Sequence, residues 1–174
     1  MTIHFGDSTS QTTAATGGAH VSSAIVADYR NSDNGGTFSS GAWRTRTLST
    51  EIADPDGIVS LSSNQFTLQA GTYVLKYSAP AYGVDDHQVV LYNATDSSYV
   101  TNSLGYNAHT WTNDATSNQA YGCCRVTISG AKAFELRHQC DTSRSGNGFG
   151  RGNGTLGTTP NDKQLFAKVE IFKE

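Results

Sequence analysis

A few groups of side chains have types and spacings that could do chemistry. His138 and Cys140 stand two residues apart, on one face of any strand that holds them, and Cys124 lies in a neighbouring strand-like run. A zinc site needs three or four converging ligands, so the trio reads as a core histidine beside buried thiols. "VDDHQ", Val84 to Gln88, offers two carboxylates and an imidazole. Calcium takes several oxygens from a shaped loop, and the stretch reads as a solvated turn. "GNGTLG", Gly152 to Gly157, matches G-x-G-x-x-G, but that fingerprint works only between a strand and a helix, and Pro160 follows instead. Among Asp28, Glu51, Asp85, Asp86, Glu135 and Asp141 nothing favours a pair placed for glycan cleavage. No G-x-S-x-G is present, and no basic cluster near Cys123 would activate its thiol. The expectation is no enzyme, no cofactor and no metal.

Two segments suit binding instead. "SYVTNSLGYNAHTWTNDA" places Tyr106, Asn107, His109 and Trp111 close together. Aromatic platforms flanked by amide donors recognise sugars, although Trp111 packed into a core or interface is the competing reading. The loop Ser143 to Gly157 contains six glycines with Arg144, Phe149 and Arg151. So long a loop is either plain connection or a partner contact on a rigid scaffold.

The elements that must position these residues are strands. The chain has 174 residues, enough for one domain with a real core, and only 36% are hydrophobic. Gly, Ser, Thr and Asn make up the difference, which suits short strands and many turns. A net charge of -3 leaves no electrostatic footprint for nucleic acid. No apolar run of the roughly 18 residues needed to span a membrane occurs. The start has neither a basic nor an apolar signal region, so no secretory leader is expected. The cysteines, Cys123, Cys124 and Cys140, are odd in number and two are adjacent, so they read as reduced thiols.

Residues 1–22 are polar, with Ile3 and Phe5 as the bulky apolar anchors, and read as an extended arm. Residues 23–174 read as one β domain of about ten short strands separated by turns such as "DPDG" and "SG". "SSNQFTLQAGTYVLKYSAPAY", Ser62 to Tyr82, alternates cleanly on both sides of a two-residue turn. In the last strand Leu165, Ala167, Val169 and Ile171 form one face, while Phe166 and Phe172 fall on the other. Val89 and Leu91 likewise oppose Val90 and Tyr92. Strands apolar on both faces are covered on both. With no helix expected, a second copy of the chain is the natural cover, which makes Val90, Tyr92, Phe166 and Phe172 candidate contacts between copies.

"GGTFSSGAWRTRTLSTEI", "IVSLSSNQFTLQAGTYVLKYSAPAY", "HQVVLYNATDSS", "AFELRHQC" and "LFAKVEIFK" together resemble the C1q/TNF-like jelly-roll modules of bacteriophage virion surface proteins. The resemblance spans Gly35 to Lys173, and "F-T-L-x-A-G-T-Y" is its most specific part. "IHFGDSTSQTTAA" is also similar to the short "F-x-D-G-T-x-Q-T" segment that precedes such modules, with Ser8 in place of Gly. The resemblance implies an all-β antiparallel sandwich and a tight threefold homotrimer on the virion surface. The expected role is a head decoration (cement) protein whose arm, through Ile3 and Phe5, grips the major capsid protein or another virion protein. The alternative is the tip of a tail fibre or spike that recognises host surface glycan. Neither role involves nucleic acid or a membrane.

Overall fold

The computed structural model describes residues 3–4, 6, 10–11, 21–31, 34–112, 116–152 and 163–174. Those residues form strands β1 (Ile3–His4), β2 (Ser10–Gln11), β3 (Ser23–Arg30), β4 (Arg44–Thr45), β5 (Thr50–Ala53), β6 (Val59–Ser62) and β7 (Gln65–Leu68). They continue as β8 (Gly71–Tyr82), β9 (Asp85–Asn93), β10 (Ser98–Tyr99), β11 (Ala108–Thr110), β12 (Ser117–Ile128), β13 (Lys132–Cys140) and β14 (Gln164–Lys173). No helix occurs among the described residues. The short strands β1 and β2 pair with each other; Phe5 lies outside the described residues.

Two antiparallel sheets make a jelly-roll sandwich. One runs β12-β8-β14-β3-β5. The other runs β10-β9-β13-β7-β6, with β11 also on β9 and β4 also on β13. Their facing residues interdigitate. Tyr73, Leu75, Tyr77 and Ala79 of β8 and Val169 and Ile171 of β14 meet Phe66, Val89, Leu91, Phe134 and Leu136 in one buried cluster. Alternation puts them there, because successive strand side chains point to opposite faces.

Turn chemistry sets the connections. Ser63 and Asn64 have φ of 51° and 64°, the positive pair a two-residue hairpin turn between β6 and β7 requires. In "ADPDG" the Asp54 carboxylate accepts from the N–H groups of Ile58 and Val59 at 2.9 and 3.0 Å, and Gly57 takes φ 64°. The stretch that reads as strand, two-residue turn, strand, Ser62 to Tyr82, divides between the sheets. β7 pairs with β6 and β13, whereas β8 pairs with β12 and β14.

The two-faced strands also need correction. A register shift between Leu165 and Ala167 leaves Leu165 exposed, while Phe166 is buried beneath the chain's own backbone at Gly35 and Gly150. On β9, Val90 is buried within the single chain. Its neighbour Tyr92 is covered by Arg137, whose guanidinium carbon lies 3.3 Å from the Tyr92 ring centre, and by Tyr99 at 5.3 Å between ring centres. Glu135 fixes that cover by accepting from Arg137 Nε, Gln65 Nε2 and Thr45 Oγ1, each at 2.9 Å. On the outer face of this part of the sandwich the chain's own Arg137 and Tyr99 thus lie against Tyr92.

Strand direction gives the sandwich two distinct ends. Ser23 pairs with Phe172 and Gly71 with Ile128 at one end. Tyr82 with Ser117 and Asp85 with Thr110 mark the other. The 12 residues of β8, at a rise of about 3.3 Å each, separate the ends by about 40 Å.

Candidate functional site

Burial of charge is the first unusual feature. Arg46 is buried, and its Nη2 donates to the carbonyls of Phe149, at 2.9 Å, and Phe166. Its guanidinium also lies 4.1 Å from the Phe149 ring centre. Arg46 Nη1 donates to His138 Nδ1 at 3.5 Å. With that lone pair engaged, the His138 proton sits on Nε2 and is donated to His87 Nδ1 at 2.9 Å. His87 in turn carries its proton on Nε2, which is buried and has no partner among the described residues. Burial, then the Arg46 charge, pulls the His87 pKa down to about 4. The same causes, with His87 added, hold His138 well below the usual imidazole range. Both rings are neutral at pH 7. The chain of contacts ties Phe149, and with it the loop after Cys140, to the core.

That loop is folded onto the chain. Phe149 stacks on Phe38 with ring centres 4.3 Å apart, and the backbones of Arg144 and Arg151 pair with Phe38 and Asn34. Arg144 Nε donates to Asn147 Oδ1 at 3.3 Å and Arg151 Nη1 to Tyr82 Oη at 2.9 Å. Arg144, Phe149 and Arg151 thus serve as scaffold contacts. Residues 153–157, the rest of that loop, lie outside the described residues.

The outer face of the sheet around β8 is the second feature. Register builds rows across three strands: Tyr121–Ser78–Lys168, Cys123–Lys76–Glu170 and Arg125–Val74–Phe172. A groove of about 280 Å³ lies over the first two rows. Tyr106 stacks against Tyr121 at its rim, with ring centres 4.9 Å apart. These rings are 68% and 54% exposed, and Leu165 is exposed beyond them. Cys123 is the exposed thiol, while burial raises the Cys124 and Cys140 pKa values to about 11 and about 12.

The third feature is a notch of about 50 Å³ at the end away from Ser23, lined by Asp86, Gln88, Asn107, Gln139 and Asp141, with His87 and Cys140 also reaching it. His109 Nδ1 lies 2.9 Å from Asp86 Oδ1, and Trp111 packs edge-on against His109. The "VDDHQ" reading changes accordingly. Asp85 is a bracket rather than a solvated turn residue, accepting from Thr142 Oγ1 at 2.7 Å and from Thr112 N–H and Oγ1 at 3.2 Å. His87 is a core residue.

The segment read as one sugar platform is therefore split. Tyr106 belongs to the groove, Asn107 lines the notch, and His109, with Trp111 against it, sits beside the notch on Asp86. The split is made by Tyr106 N–H donating to Tyr121 C=O while Gly105 N–H donates to Val89 C=O, so the segment bridges the edges of both sheets. Arg46, Gln88 and Gln139 were not legible as site residues, because only cross-strand register brings them to their partners. Among the described residues no three His, Cys, Asp or Glu side chains converge to hold a metal.

Comparison with solved structures identifies the fold. Murine APRIL at pH 5.0 superposes with a TM-score of 0.53 and 7% identity, over 89% of this chain and 100% of that one. The globular domain of zebrafish complement 1qA gives 0.50 and 16%, over 88% and 97%. Eiger TNF from S. frugiperda gives 0.55 and 12%, over 88% and 92%. The chain is thus a C1q/TNF-like jelly roll. No family model and no curated protein matches the sequence.

Proposed function

We propose that this chain is a non-enzymatic subunit of a phage particle's outer surface, assembled as a homotrimer and seated on the head as a decoration protein. The observation that carries the reading is the contrast between the two outer faces. The Arg137–Tyr92 side is covered by the chain's own residues. The β12-β8-β14 side presents a groove rimmed by exposed Tyr106 and Tyr121, with half-buried Val74 and Phe172 in the adjoining row. Apolar and aromatic surface of that kind gains from burial against another copy. Of the contacts expected from sequence the proposal retains Phe172; Val90 and Phe166, buried in the single chain, and Tyr92, under Arg137, are replaced by Val74, Tyr106 and Tyr121.

The two ends of the sandwich suit such a position. Residues 1–22 lead into β3 at the Ser23 end, and the Trp111 notch lies at the other. One end grips the shell, through Ile3 and Phe5, and the other faces outward. A second reading, a host-contact tip, is favoured by the exposure of Trp111 beside a polar notch. Immunogold labelling of intact particles separates the two. Label spread over the head supports decoration, and particles lacking the protein are then fragile to heat and osmotic shock. Label confined to the tail, or deletion particles of full robustness, overturns it.

A further inference from the structure

The notch is built on a lattice of polar side chains that register makes regular. Gln139 pairs with Gln88, and Asn107 lines the notch beside them, giving three amides. One row on, His109 pairs with Asp86, whose carbonyl accepts the N–H of Asp141 at 2.9 Å, giving an imidazole and two carboxylates. Cross-strand neighbours stand about 5 Å apart, close to the span of alternate hydroxyls on a pyranose ring. Amides donate and accept, carboxylates accept, and a sugar edge offers both functions.

Trp111 lies against His109 at the edge of this lattice and is 59% exposed, with its backbone fixed. Its N–H donates to Thr116 Oγ1 at 2.6 Å, and the next residue, Thr112, is fastened to Asp85. Its ring meets His109 at 86° with centres 4.8 Å apart. A rigid aromatic surface binds at low entropic cost. The charges narrow the ligand. Asp86 and Asp141 repel anions, and no converging set of metal ligands occurs among the described residues.

The geometry points to a site for a neutral hexopyranose, with its hydroxyl edge on the Gln88–Gln139 and Asp86–Asp141 rows and its apolar face against Trp111. The inference rests on the host-contact reading above, of which it names the ligand class. Saturation-transfer NMR on the purified full chain tests it, with methyl β-galactoside, methyl α-glucoside, methyl α-mannoside and N-acetylglucosamine as probes and N-acetylneuraminic acid as the anionic control. The expected result is transfer to at least one neutral sugar and none to the control. Trp111→Ala and Asp86→Asn each weaken binding about tenfold or more, and Trp111→Phe retains most of it. Absence of transfer to all four neutral sugars overturns the site, as does equal transfer with Trp111→Ala. Attachment of the protein to host cells without binding of any probe sugar leaves the host-contact reading standing and sinks this one.

Discussion

His138 Nε2 lies 2.9 Å from His87 Nδ1, and both rings are buried in the sandwich beside Arg46. Neither ring can take a proton without placing a second charge next to a buried guanidinium. His87 has a folded pKa of about 4 against an ordinary 6.5. Between those values the unfolded chain binds the proton and the folded chain does not, so stability falls as pH falls. The loss from His87 alone is on the order of 2 kcal/mol by pH 5. Denaturant unfolding at pH 7.5 and pH 5.0 measures it, and His87→Gln reduces the dependence, leaving the part that His138 contributes. A stability unchanged between the two pH values contradicts the assignment.

Gly105 closes the sandwich edge. A Cβ there would lie 2.6 Å from Tyr121 O and 2.8 Å from Val89 Cγ2, against backbone and core together. Gly105→Ala is expected to cost about 1–3 kcal/mol. Thermal unfolding checks this, with Gly130→Ala, where a Cβ meets nothing within 4 Å, as the control.

Arg137 covers Tyr92 and donates to Glu135. Arg137→Ala removes the ring contact and one of three bonds to that carboxylate, for about 1–2 kcal/mol. Because this cover is intramolecular, the variant should keep the mass of the parent assembly in light scattering.

Tyr121 and Phe172 give the opposite expectation. Tyr121→Asp with Phe172→Asp places carboxylates on the outer face of the β12-β8-β14 sheet, where burial of unpaired charge is unfavourable. Light scattering should report about three chains of 18.5 kDa for the parent and one for this variant. A variant that remains trimeric shows that copies meet elsewhere.

Alternation made β8 and β13 legible in the sequence, with Leu75, Tyr77, Phe134 and Leu136 inward as read. Local turn chemistry was equally plain at Asp54 to Gly57. Sheet membership was not, because the link from Leu68 to Gly71 looks the same whether a chain forms a hairpin or crosses between sheets. The bulge at Leu165–Ala167 takes Leu165 off the buried face of Ala167 and Val169, and nothing in the alternation marks where the extra residue falls. Of the notch, Asn107, His109 and Trp111 could be read because they are close in sequence. Asp86, Gln88 and Gln139 join them only through pairing between distant strands.

The central claim is that copies of the chain meet on the face that holds Cys123. Among the cysteines Cys123 is exposed in the single chain, and Cys124 and Cys140 are buried. Thiol titration of the native protein with a chromogenic disulfide, timed over the first seconds, reads that face directly. The account predicts no fast-reacting thiol in the parent assembly and a fast one in the Tyr121→Asp, Phe172→Asp variant. A Cys123 that reacts at once in the parent protein contradicts it.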